Sequence, residues 1–313
     1  MTGMALYKHA LITSAVLGMI LAHGVDASAQ TEPVITSSTN LIAQGRNFKD
    51  LNADNFDPQI QYTISPPSPE ATQFRFKLKG YVFGLRMIKA NYIGYVGQDT
   101  YAAYTDLKTS GLGALLKKLE IWAVTHGAIT RAGLRPDFHV QQNMDKKNRR
   151  VEMNYDNAAK QVGVAIVPPL GSQGVPPASP EERFTAHDTI SAILSMTGRG
   201  TFLSGRLCEG SVPVFDSKQH YNLRMERAGT KRIKYKKKKV DTVKCNVYYE
   251  PVSGFDPEDL PEAEESQTPV KVYFMTDEAS ALHIPVRFTY KISSIKAVIK
   301  LDDMTIITPE NKL

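Results

Sequence analysis

Two cysteines, one tryptophan and no long uninterrupted apolar run mark what this 313-residue chain lacks. No segment approaches the 18 consecutive apolar residues of a membrane-spanning helix. The cysteines, Cys208 and Cys245, stand far apart with no CxxC and no HxxxH beside them. That spacing gives a metal site or a dithiol redox pair little to build on. The common catalytic signatures are missing as well: no GxSxG, no Walker A, no HExxH and no full GxGxxG. Gly111-Leu112-Gly113 is only a fragment of the last. His126, His139, His187, His220 and His283 are scattered. Asp188, next to His187, reads as a helix cap. Asp216 and His220 share a strand face by spacing, but no nucleophile accompanies them. These absences argue against an enzyme, and no cofactor or metal is expected.

What is present begins with residues 1–29. Lys8 and His9 precede an apolar run at 10–22, and Ala27-Ser28-Ala29 matches an A-x-A cleavage site. The pattern predicts a cleaved signal peptide and an exported, periplasmic chain. Oxidising compartments let disulfides persist. A structural Cys208–Cys245 bond is therefore expected, worth roughly 3–4 kcal/mol by loop-closure entropy. The Ser-, Thr-, Asn- and Pro-containing stretch 30–70 predicts a weakly ordered lead-in. Residues 71–308 remain as a single domain.

The formal net charge is +6. Its sharpest features are local: "KRIKYKKKK" at 231–239 and the acidic "DPEDLPEAEE" at 256–265. In an exported chain nucleic acid is not an expected partner, whereas anionic lipid is at hand. Lys236, Lys237, Lys238 and Lys239 then point to an anionic membrane surface. The same lysines also fit a solvated strand edge, where cations block edge-to-edge pairing.

Strand patterning dominates. Phe74, Phe76 and Leu78 alternate with Arg75, Lys77 and Lys79, the period of a half-buried strand. "DFHVQQNMDKKNRRVEMNYD" reads as a hairpin, and "YNLRMERAGTKRIKYKKKK" as another, turning at Ala228-Gly229. Helical spacing appears twice, at Leu112–Leu119 and at Ile190–Met196. Between them, 163–183 carries a proline-rich excursion. Ten to twelve antiparallel strands and two short helices predict a mainly β fold: a curved sheet forming a spiral or half-open barrel.

The cysteine segments carry a resemblance. "CEGSVPVFD" at 208–216, "YNL" at 221–223 and "CNVYYEPVSGF" at 245–255, with "GLRPDFH", "DTISAILSM" and "LHIPVRFTY" elsewhere, resemble a family of Gram-negative periplasmic proteins, domain of unknown function 3108. The chain departs from the family at Ser217-Lys218-Gln219-His220, where Gly and Arg are usual. The resemblance implies a shape like the envelope-integrity proteins and the half-barrel lipoprotein carriers. A role in envelope integrity follows by analogy of fold, with an acyl chain, lipid or lipoprotein segment as ligand. Aromatics on the concave face would line such a cleft: Phe76, Trp122, Tyr221, Tyr248 and Phe288 are the candidates. The alternative is a filled barrel, with the same aromatics as core, acting as a protein-interaction scaffold.

Overall fold

The computed structural model describes residues 66–309, apart from 117, 145–147, 278, 279 and 281. The predicted signal peptide, and the lead-in up to residue 65, lie outside the described residues.

The described residues form thirteen strands: β1 Thr72–Val82, β2 Leu85–Val96, β3 Thr100–Thr109, β4 Glu120–Thr130, β5 Gly133–Asn143, β6 Arg150–Asp156, β7 Gln161–Val167, β8 Gly210–Phe215, β9 His220–Tyr235, β10 Lys238–Ser253, β11 Val270–Thr276, β12 His283–Ile292 and β13 Ile295–Ile307. All lie in one sheet, every neighbouring pair antiparallel, in the order β7-β6-β5-β4-β3-β2-β1-β13-β12-β11-β10-β9-β8. The sheet is curved and does not close, as the patterning predicts, with one strand more than the expected upper count. Two meanders, β1–β7 and β8–β13, run outward from the central β1–β13 pair, which sets Gln73 opposite Ile307 and Val82 opposite Ala297.

Four short helices complete the described residues where two were expected: α1 Leu112–Leu116, α2 Pro180–Thr185, α3 Thr189–Gly198 and α4 Ala263–Gln267. The unforeseen α2 starts inside the proline-rich excursion and runs two residues past its end. Ser179 and Glu182 form its reciprocal capping box and Pro180 occupies its first turn, which is how a short helix starts within such a sequence. The unforeseen α4 starts the same way, from Glu262 and Glu265.

The expected turn at Ala228-Gly229 is instead a bulge within an unbroken β9. The register shifts there against β10, and Gly229 takes the φ of +91° that the distortion needs. The hairpin turns later, at Lys236, where φ is +50°.

The excursion is ordered as a clasp. Val175 N–H donates to Phe255 O and Gly254 N–H to Pro176 O, both at 2.8 Å. Ser172 Oγ bonds Asp256, which also takes the Lys218 ammonium at 2.6 Å. Backbone meets backbone here. A Cβ on Gly174 (φ +81°) would lie 2.0 Å from the Gly254 carbonyl carbon, and one on Gly254 would lie 1.9 Å from Lys218 O. Gly174→Ala is expected to cost about 1–3 kcal/mol and to open the clasp. Limited proteolysis should then cut within 168–179 several-fold faster than in the parent, and an unchanged rate would refute the clasp.

Candidate functional site

The inner face of the sheet is where a ligand would sit, and α3 occupies it. Every α3 residue except Ile193 is buried. Its Thr and Ser side chains are buried along with its apolar ones, which places the helix inside the core. Ile190 and Leu194 pack into a cluster with Phe74, Phe76, Tyr92 and Ile284. Ala192 and Met196 pack into a second cluster with Tyr221, Val247 and Phe274. The helix thus wedges between the two meanders.

A buried polar node fixes its N-terminus. Asp188 Oδ1 accepts from the backbone N–H of Ile190 and Ser191, both at 2.9 Å, and lies 3.0 Å from His139 Nδ1 on β5. Asp188 Oδ2 accepts from Ser191 Oγ and from Thr125 Oγ1 of β4, at 2.5 and 2.9 Å. Tyr101 of β3 reaches Ser191 Oγ at 2.7 Å, and Tyr92 of β2 donates to Ile190 O at 3.2 Å. One carboxylate therefore ties α3 to the sheet: the cap expected at Asp188 also faces His139 of β5. Burial would raise the Asp188 pKa. The adjacent His139, with hydrogen bonds from His139 and Ser191, outweighs that and holds it down at about 2. Burial, and then the Asp188 charge, push the Tyr101 hydroxyl well above its usual range, which keeps it a donor.

Aspartate, histidine and serine meet here without forming a relay. Ser191 and His139 both direct their polar atoms at Asp188, so no base faces the serine hydroxyl, and the group lies within the core. The node anchors; it has no face on which a substrate could sit. Among the described residues no group of three His, Cys, Asp or Glu side chains is arranged to hold a metal ion.

The family model described as "Protein of unknown function (DUF3108)" matches residues 71–300. The chain belongs to this family. The match begins one residue before β1 and runs into β13, so the DUF3108 unit is the thirteen-strand sheet with its helical plug. Comparison with curated proteins finds no match.

The DUF3108 fold does not gather the five aromatic candidates into one cleft. Phe76 and Tyr221 are core residues, in different clusters, and Phe288 packs half-buried against the second of these. Phe76 stacks on Phe74 and Tyr92, and Tyr221 lies against Tyr249 at 4.7 Å between centroids. Trp122 and Tyr248 face the other way. Ala123 and Val247 point inward, so their strand neighbours point outward. Trp122 lies with Val124 and Val140 under the Arg150 guanidinium, and Tyr248 lies under that of Arg224 at 4.3 Å.

Cys208 and Cys245 stand at disulfide distance, their Cα atoms 5.2 Å apart, both fully buried. In the lysine run, Lys236 Nζ reaches Asp303 at 2.9 Å, while Lys237, Lys238 and Lys239 are exposed. The His139–Asp188 pairing escaped sequence reading because 49 positions separate the two residues (188 − 139 = 49). Only the Asp188 cap signal was visible.

Proposed function

We propose that this DUF3108 protein is a non-catalytic, exported scaffold of the cell envelope, with an interior filled by its own helix rather than by an acyl chain. One observation carries the reading: α3 is buried on the inner face and bound there by Asp188, where a carrier would hold its cargo. An open acyl cleft would need the five aromatics on one lining, and they are divided between clusters and faces.

The two sheet edges suggest where a scaffold would take a partner. The β8 edge is covered, since His187 pairs with Pro213 and Phe215 through backbone bonds of 2.9 and 2.8 Å. Among the described residues the β7 strand, "QVGVAIV", pairs with β6 alone, with α2 packed against it. It has no lysine or proline of the kind that blunts an edge, which suits it to an added strand from an extended polypeptide.

Native mass spectrometry of protein purified without detergent tests the reading. A mass equal to the polypeptide alone is expected. A reproducible adduct that extracts into organic solvent as lipid would replace the scaffold with a carrier.

A further inference from the structure

Antiparallel pairing divides the connections between two rims. At one rim lie the turns β1–β2, β3–β4, β5–β6, β8–β9, β10–β11 and β12–β13. At the other lie the remaining turns, including the Lys236 turn. All exposed large hydrophobic side chains among the described residues belong to the first rim: Phe83, Leu85, Leu112, Leu115, Leu116 and Met144 on the β1–β6 half, and Val175, Val252 and Leu260 beyond it. Phe83, at the β1–β2 turn, is 64 % exposed, and Leu115 and Leu116 on α1 are 82 % and 70 % exposed. The two elements adjoin. Ser110 N–H, just before α1, donates to Met87 O at 2.8 Å, and a Cβ on Gly113 would meet the same Met87 carbonyl at 2.1 Å. An apolar concentration confined to one rim has a purpose other than the core.

A second pattern runs along the outer face behind this rim. Register sets Lys108 opposite Lys89, Lys89 opposite Lys79, Lys79 opposite Lys300, and Lys300 opposite Arg287. Five cations thus stand in one row across β3, β2, β1, β13 and β12. Like charges directly opposed across strands destabilise a sheet. Lys79 is offset by Asp302 at 2.9 Å and Lys108 by Glu120 at 3.4 Å. Lys89, Lys300 and Arg287 form no ion pair among the described residues. Nearer the turns, Lys291 stands opposite Lys296, and Lys296 O accepts from Phe83 N–H.

We propose that this rim docks on an anionic phospholipid bilayer. Phe83, Leu85, Leu115 and Leu116 enter the interface, and the cationic row meets lipid phosphates. The spacing fits. Lys79 is four residues from Phe83, or about 13 Å along an extended strand, and apolar groups of peripheral proteins enter roughly 5–10 Å. Tips inserted to that depth leave the row at the level of the headgroups. Protruding turns suit a fluid interface, since a protein partner would need matching pockets. The acidic segment 256–265 stands at the same rim on the other meander, so contact is tilted onto the β1–β6 half. The inference is independent of the scaffold reading, because a carrier could dock the same way.

Flotation of the purified protein with vesicles tests it, using phosphatidylcholine alone and phosphatidylcholine mixed equally with phosphatidylglycerol. Binding is expected only to the anionic vesicles and should weaken as salt rises. A triple variant, Phe83→Ser/Leu115→Ser/Leu116→Ser, changes exposed positions only. Its partition coefficient should fall about tenfold or more, from the apolar area removed. Lys89→Glu/Lys300→Glu should fall comparably, and neutralising Lys236–Lys239 at the opposite rim should change binding less than about twofold. Circular dichroism confirms that each variant is folded. Absence of binding by the parent, unchanged binding by the apolar variant, or loss confined to the Lys236–Lys239 variant would each overturn the proposal.

Discussion

Asp188→Ala is expected to lower the free energy of unfolding by about 3–5 kcal/mol, because several buried hydrogen-bonding groups lose their common acceptor at once. The change leaves His139 without the carboxylate it faces and strands the N–H groups of Ile190 and Ser191 inside the core. Urea unfolding measures it as a lower midpoint at an unchanged slope. A loss under about 1 kcal/mol would mean that the node is peripheral to stability. Asp188→Asn keeps an acceptor for the helix N-terminus and should cost less. It also isolates a pH effect. The carboxyl titrates near its ordinary 3.8 in the unfolded chain and at about 2 when folded. A folded pKa below the unfolded one stabilises above the unfolded value, and that contribution is lost as pH falls toward the folded value. Between about pH 5 and pH 2 the stability difference between parent and Asp188→Asn should therefore shrink by about 2 kcal/mol. A difference constant over that range would remove the electrostatic account and leave only shape.

The second large effect belongs to the cysteines. Cys208 lies just before β8 and Cys245 within β10, 37 positions later, so a bond between them staples the start of β8 across β9. Closing a loop of that size is worth about 4 kcal/mol in the chain-entropy model. Cys208→Ala/Cys245→Ala should lose a comparable amount, somewhat more for the buried sulfur lost from the cluster. Denatured, unreduced protein should react with about zero equivalents of a thiol reagent. Two equivalents would show that the pair is not bonded in the isolated protein.

Period-two alternation made the strands legible, because half-buried strands must alternate. Phe74, Phe76 and Leu78 face the core as their spacing predicts. The α3 segment and its Asp188 cap were legible for a like reason, since cap and apolar spacing are local. Alternation cannot say which set of residues faces inward on a given strand. Trp122 and Tyr248 therefore looked equivalent to Phe76 and Tyr221 until pairing placed them outside. Gly229 marked a local distortion of β9 rather than its end, since a positive φ serves a bulge as well as a turn. The row from Lys108 to Arg287 was illegible because it depends on register between β1 and β13, strands more than two hundred positions apart. The apolar rim depends likewise on which turns share an end. Ser179 and Glu182 did carry a visible capping box, hidden by the prolines around it.

The central β1–β13 pair bears on how the chain reaches its fold when it emerges amino end first. The β1–β7 meander consists of neighbours in sequence and can form as soon as each hairpin is complete. The Cys208–Cys245 pair and β8–β11 likewise need nothing later than themselves. Until β13 arrives, β1 lacks its β13 neighbour and the two meanders are separate sheets, joined by the connecting chain and by α3 packed between them. The last strand is the keystone, and a chain truncated before Ile295 would have two half-folds without the seam that joins them.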